Sequence, residues 1–283
     1  MIKPLCVALS LLIATTASAT LPPADMTALG VDVDFYTGPI SSDVWLQMKQ
    51  SGQTFAIAQA WGGRSRNEFA VSQLEGARKI AGMKTAAYIL LNYDDKVCPT
   101  YAKPVRDRNG RCSGQLVPQK KSGARWQVQQ GLAALGAELA NASFIALDVE
   151  WFLSAPPPSD AGSLARRRQA IMDALDEIRD NQKRPVIYTR NARRHWREIT
   201  GCDMASTEAG CAALHDVINN PAEPIPLWDV QHGDASLDDF QPHGAWSDRV
   251  GRQYRLDANL FGLPGGRTVD LNVFDASVFL TSR

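Results

Sequence analysis

Strand-sized apolar runs alternating with helix-sized stretches recur along most of this 283-residue chain. Residues 29–34, 55–61, 84–91, 143–149 and 185–189 are short and nearly continuously apolar, the pattern of strands buried on both faces. Between them, residues 42–50, 68–81, 126–141 and 161–182 carry helical periodicity, with Ser41 or Ser42 placed to cap the first. Strand, helix, strand in repetition predicts a parallel sheet covered by helices, because parallel neighbours need a crossover connection. Three further strands, 225–230, 251–256 and 268–274, follow with little helix between them. About eight strands in a chain of this length predict an α/β fold closed as one irregular (β/α) barrel, similar to a TIM barrel but without eight regular units. No linker composition or internal repeat divides the chain, so residues 20–283 read as a single domain. Residues 92–124 form a long polar insert containing Pro99, Pro104 and Asn109-Gly110, and loops of this size inside a domain are usually functional.

The amino terminus reads as a secretory signal over residues 1–19. Lys3 precedes an apolar stretch from Leu5 to Ala14, and Ala17-Ser18-Ala19 supplies small residues for cleavage before Thr20. The stretch is too short to span a bilayer, and the expected product is a secreted or periplasmic protein with no membrane association after cleavage. Thirty basic and thirty acidic residues balance, and no basic stripe stands out, which argues against a nucleic-acid partner. Four cysteines follow the leader: Cys98, Cys112, Cys202 and Cys211. Three pairings are possible, and short local loops favour Cys98–Cys112 and Cys202–Cys211. Their spacings suit zinc poorly, and no metal is expected.

The acidic residues carry the chemistry. Asp148 and Glu150 are two apart on an apolar strand, so both point to one face, which in a barrel is the interior. Two neighbouring buried carboxyl groups cannot both ionise freely, and one retains a proton suited to protonating a glycosidic oxygen. Asp32 and Asp34 repeat the spacing at the end of the first strand, and Asp270 lies in the last. Acids arriving at one barrel mouth from separate strands are costly to bury unless they serve each other or a ligand. Tyr36, Trp61, Tyr93, Trp151 and Tyr188 follow strand ends, and Trp228 lies within a strand. Flat rings at such a mouth would stack on sugars. His232 and His243 read as polar loop residues, and none of the four histidines has the His-x-x-x-His spacing of a polysaccharide deacetylase.

With these residues in place, the chain resembles glycoside hydrolase family 25, the Chalaropsis-type lysozymes. Gly30-Val-Asp-Val-Asp34 is similar to that family's opening motif, and Leu147-Asp-Val-Glu150 to its Asp-x-Glu motif. Ile187-Tyr-Thr189, Leu227-Trp228 with Gln231, Arg252-Gln-Tyr254 and Val269-Asp-Leu-Asn-Val-Phe274 follow in the family's order. The resemblance implies an irregular barrel that cuts between N-acetylmuramic acid and N-acetylglucosamine in peptidoglycan, as a monomer and without a cofactor. It implies Glu150 as general acid, Asp148 as its assistant or as orienter of the substrate's acetamido group, and Asp32 and Asp270 completing the site. Asp34, Tyr36, Trp61, Tyr93, Trp151, Tyr188, Trp228 and Gln231 are the expected substrate contacts. The rim departs from the family: Asp34 replaces a Ser, Gln59-Ala-Trp-Gly-Gly63 a Lys-Ala-Thr-Glu-Gly-like stretch, and Tyr88-Ile89 a Tyr-His. A glycan-binding barrel that does not cut, and a glycosidase acting on another polysaccharide, are therefore alternatives. A family 18 chitinase is disfavoured, because Ser143 and Ala146 stand where its further acids would be.

Overall fold

The computed structural model describes residues 27–93, 96–97, 117–118, 123–150, 160–190 and 195–280. The expected leader, residues 1–19, and Cys98, Cys112 and Trp151 lie outside the described residues. The first strand, β1 (Thr27–Val33), is followed by helix α1 (Ser42–Gln50) and β2 (Gln53–Gly62). Ser41 caps α1, its hydroxyl accepting from Val44 N. Helix α2 (Ala70–Glu75) runs into a π turn before β3 (Lys84–Leu90). The insert carries a short antiparallel ribbon, β4 (Lys96–Val97) with β5 (Val117–Pro118). Then come α3 (Ala124–Leu135), β6 (Ala142–Asp148), α4 (Ala161–Asp180) and β7 (Pro185–Thr189). Helices α5 (Trp196–Thr200) and α6 (Ala209–Ile218) precede β8 (Leu227–Val230), β9 (Gly251–Ala258) and β10 (Val269–Asp275).

Eight of these strands close into a barrel in the order β1-β10-β9-β8-β7-β6-β3-β2. Seven run parallel, as the sequence predicts. The eighth does not: β10 is antiparallel to both β9 and β1. The connection from residue 259 to 268 is too short for a crossover helix, so the chain turns back as a hairpin. This reversal puts the beginning of β10 beside the ends of the other strands, and Asp270 pairs in register with Asp32.

Two apolar layers hold the fold. Outward-facing residues such as Val31, Ala58, Ile89 and Leu147 pack beneath the helices. Inside, Phe55, Phe144, Phe274 and Phe279 form a ring cluster at the end opposite the mouth, with Phe55 and Phe279 stacked at 4.5 Å. The close rings require glycine opposite them. A Cβ on Gly30 would come within 2.4 Å of Phe55, and one on Gly251 within 2.4 Å of Phe274. Residues 202 to 211 are tied by the disulfide Cys202–Cys211, one of the two expected pairings.

Candidate active site

Strand alternation grades the barrel interior from rings at the base to acids and amides at the mouth. On β6 the inward sequence is Phe144, Ala146, Asp148; on β10, read backwards, it is Phe274, Asn272, Asp270. At the mouth, Asp32 Oδ2 accepts from Asn272 Nδ2 at 2.7 Å and from Gln253 Nε2 at 2.9 Å. The same Gln253 nitrogen lies 3.1 Å from Asp270 Oδ2, and Asp270 Oδ1 accepts from Asp257 N at 2.7 Å. Both amides are themselves oriented. Tyr188 Oη donates to Gln253 Oε1 at 2.8 Å, and Trp228 Nε1 donates to Asn272 Oδ1 at 3.0 Å. These partners fix the flips of both amides, so that each presents its donors to the acids.

The acids hold their protons unusually tightly. Burial pushes Asp32 up to about 6, against its amide hydrogen bonds. Burial and the neighbouring Asp32 raise Asp270 to about 8. Asp148 is raised well above the usual carboxylate range, first by burial and then by Glu150 and Asp32. Its Oδ1 is buried and has no hydrogen-bond partner among the described residues. Glu150 lies just past the end of β6 with its side chain 36% exposed, and its Oε2 is 3.4 Å from His195 Nε2. Burial also raises the Tyr88, Tyr93 and Tyr188 hydroxyls, with Asp148 among the contributing charges in each case.

A raised acid has a defined effect on stability. The folded state binds these protons more tightly than the unfolded chain, whose aspartates titrate near 4. The stabilisation is complete below that value and is lost as pH rises through about 6 for Asp32 and about 8 for Asp270. The thermal midpoint should therefore fall between pH 5 and pH 8 in calorimetric scans, and Asp270→Asn should flatten the upper part of that decline. A midpoint that rises across the window would contradict this arrangement of acids.

The structure brings Asp32, Asp148, Glu150 and Asp270 to one mouth, with Tyr188 and Tyr93 near them. Other expected contacts are placed elsewhere. Asp34 follows the end of β1, and its Oδ1 accepts from Thr37 N at 2.8 Å and Thr37 Oγ1 at 3.0 Å, closing a turn. Tyr36 is 80% exposed on that turn, edge-on to Phe35. Trp61 does not face the mouth. A bulge between Gln59 and Trp61 breaks the alternation of β2, and the indole packs in the helix layer against Trp126. Trp228 is a barrel-core residue, 1% exposed, touching Tyr188, Tyr88 and Phe274. Gln231 accepts from Arg249 Nη1 at 2.6 Å and so belongs to a loop clamp. His243 is buried, not a solvated loop residue, with its Nε2 3.2 Å from Asp229 Oδ1. Gln253, Asn272, Arg190 and His195 were not expected at the site. The first two lie inside quoted motifs at inward positions of their strands, where alternation could have found them; nothing local marks the other two.

Fold and site together define an irregular (β/α) barrel with a cluster of four acids at the carboxyl end of its parallel strands. Neither a family model nor a curated protein sequence matches the chain. Solved structures do match. A muramidase from Acremonium alcalophilum aligns with TM-score 0.55 at 17% identity, over 89% of this chain and 96% of that one. A family GH25 lysozyme from Aspergillus fumigatus gives 0.56 at 18%, over 88% and 93%. The bacterial lysozyme from Streptomyces coelicolor gives 0.55 at 19%, over 89% and 95%. At these identities the shared property is the fold, spanning nearly the whole of each chain.

Proposed function

We propose that this chain is a divergent member of glycoside hydrolase family 25, which hydrolyses the glycan backbone of bacterial peptidoglycan between N-acetylmuramic acid and N-acetylglucosamine. The observation that carries the reading is the contrast within the acid cluster. Three aspartates are buried with their carboxyl groups raised above the usual range, while the side chain of Glu150 reaches a partly open position at the same mouth. Different environments for neighbouring carboxyl groups are what acid–base chemistry on a glycosidic bond requires. The likeness of the fold to known muramidases and lysozymes supports it.

In this reading Glu150 is the general acid. Its proton passes to the glycosidic oxygen as the bond to the anomeric carbon breaks, and that oxygen keeps the bonding electrons. Water then supplies hydroxyl to the anomeric carbon and returns a proton to the acid cluster. Asp148 offers its unpartnered Oδ1 to the N–H of the substrate's acetamido group. Asp32 and Asp270, oriented by Asn272 and Gln253, complete the site, and Asp32, which ionises above about pH 6, stabilises positive charge developing on the sugar ring. Tyr188 and Tyr93 provide rings beside the acids, and Tyr36 an exposed ring further out. The leader-like residues 1–19 and the Cys202–Cys211 disulfide support export and action outside the cytoplasm.

A second reading, a glycosidase of this fold acting on a different polysaccharide, draws on the rim. Asp34 closes a turn and Trp61 faces the helices, so neither lines a sugar groove. Mass spectrometry of products from purified peptidoglycan separates the two. Fragments with N-acetylmuramic acid at the reducing end are the expected result. Binding to wall material with no release of reducing ends at any pH would leave a non-cutting glycan binder and overturn the proposal.

A further inference from the structure

Glu150 and His195 belong to distant segments, and one hydroxyl registers both. Thr189 Oγ1, buried at the end of β7, donates to Val149 O at 2.9 Å and accepts from Trp196 N at 3.1 Å. Glu150 follows the first of these residues and His195 precedes the second. His195 Nε2 then lies 3.4 Å from Glu150 Oε2. Its Nδ1 lies 3.3 Å from Arg190 Nε, which donates to it. A guanidinium has only donors, so the nitrogen that accepts from it carries no proton. The imidazole hydrogen is thereby directed to Nε2, on the side of Glu150. The His195 side chain is nearly closed off from solvent, while Glu150 reaches into the opening.

We propose that His195 is a positioning residue for Glu150. Held by Arg190 as its Nε2–H tautomer, it donates to Oε2 and leaves Oε1 as the oxygen that carries the transferable proton. This rests on the reading of Glu150 as general acid. An unrestrained carboxyl group rotates and presents its proton in many directions; tying down one oxygen removes that freedom before substrate arrives. A separation of 3.4 Å is long for a hydrogen bond, and such contacts commonly tighten when a bound substrate excludes water. Once the proton has left, Oε2 belongs to a carboxylate, and a donor to a charged acceptor makes the stronger bond. The contact therefore strengthens as the glycosidic bond breaks, the condition under which it speeds the step rather than merely binding.

The test compares His195→Gln with His195→Asn. The glutamine amide reaches the position of Nε2 and can donate to Glu150; the asparagine amide stops near Nδ1. Rates on soluble peptidoglycan glycan fragments are measured alongside wild type and Glu150→Gln, and the imidazole tautomer of the wild type is read by 15N NMR. His195→Asn should lose about tenfold or more in kcat with little change in KM, and His195→Gln should recover most of that loss. The 15N shifts should report Nε2–H. Equal kcat in the two variants, or an Nδ1–H tautomer, overturns the proposal. An inactive wild type or an active Glu150→Gln overturns the reading of Glu150 instead; the tautomer measurement does not depend on turnover and keeps the two failures distinct.

Discussion

Glu150→Gln is expected to lower the rate of glycan cleavage by about a thousandfold, the usual scale for a lost general acid, while leaving the fold intact. Glutamine has the same shape, and its amide oxygen can still accept from His195 Nε2. The side chain is partly exposed, so no buried charge is left unpaired. What is removed is the transferable proton alone. Binding to the glycan should persist, which places the loss in kcat and not in KM. Circular dichroism and the melting temperature should match wild type. A variant that keeps full activity ends the assignment of Glu150, and one that loses its fold shows that the residue holds structure.

Arg249→Ala is expected to give the largest loss of stability. Its side chain is fully buried and holds the loop between β8 and β9. It donates to Asp229 Oδ2 at 3.2 Å, Gln231 Oε1 at 2.6 Å, Asp239 Oδ1 at 2.6 Å and the carbonyls of Ser236, Leu237 and Asp238. Removing it leaves Asp229 buried beside His243 and takes the Leu237 and Asp238 carbonyls from their donor. Deleting one partner of a buried charge pair costs about 3–5 kcal/mol. For a domain of this size that is a fall of roughly 10 °C in melting temperature. Arg249→Lys should recover part of the loss, because one ammonium replaces the charge but not the five-donor fork. A change within about 1 kcal/mol for Arg249→Ala would show that the clamp is dispensable.

Much of this was legible from period-two alternation. The pattern places Phe144, Ala146 and Asp148 on one face, and the barrel does put the acid above the ring. The same rule misleads for Asp34, because β1 ends at Val33 and alternation stops with the strand. It misleads for Trp61 because one extra residue at the bulge flips every side chain after it. The reversed β10 was implicit in a connection too short for a helix, but apolar strands look alike in either direction. His195 and Arg190 leave no local trace. Their approach to Glu150 depends on barrel closure and on the Thr189 hydroxyl, which no spacing along the chain encodes.

The pairing of β1 with β10 also bears on the order of assembly. Asp32 lies opposite Asp270, and its amide partners Gln253 and Asn272 come from the last two strands. These contacts span most of the sequence, and long loops are the entropically expensive ones to close. A nascent chain that has presented Asp148 and Glu150 from the ribosome still lacks the residues that orient Asp32. A fragment ending before residue 251 would hold the Asp-x-Glu pair without either amide. The acid cluster is therefore completed only after the final strand docks, and synthesis itself keeps it unassembled until then.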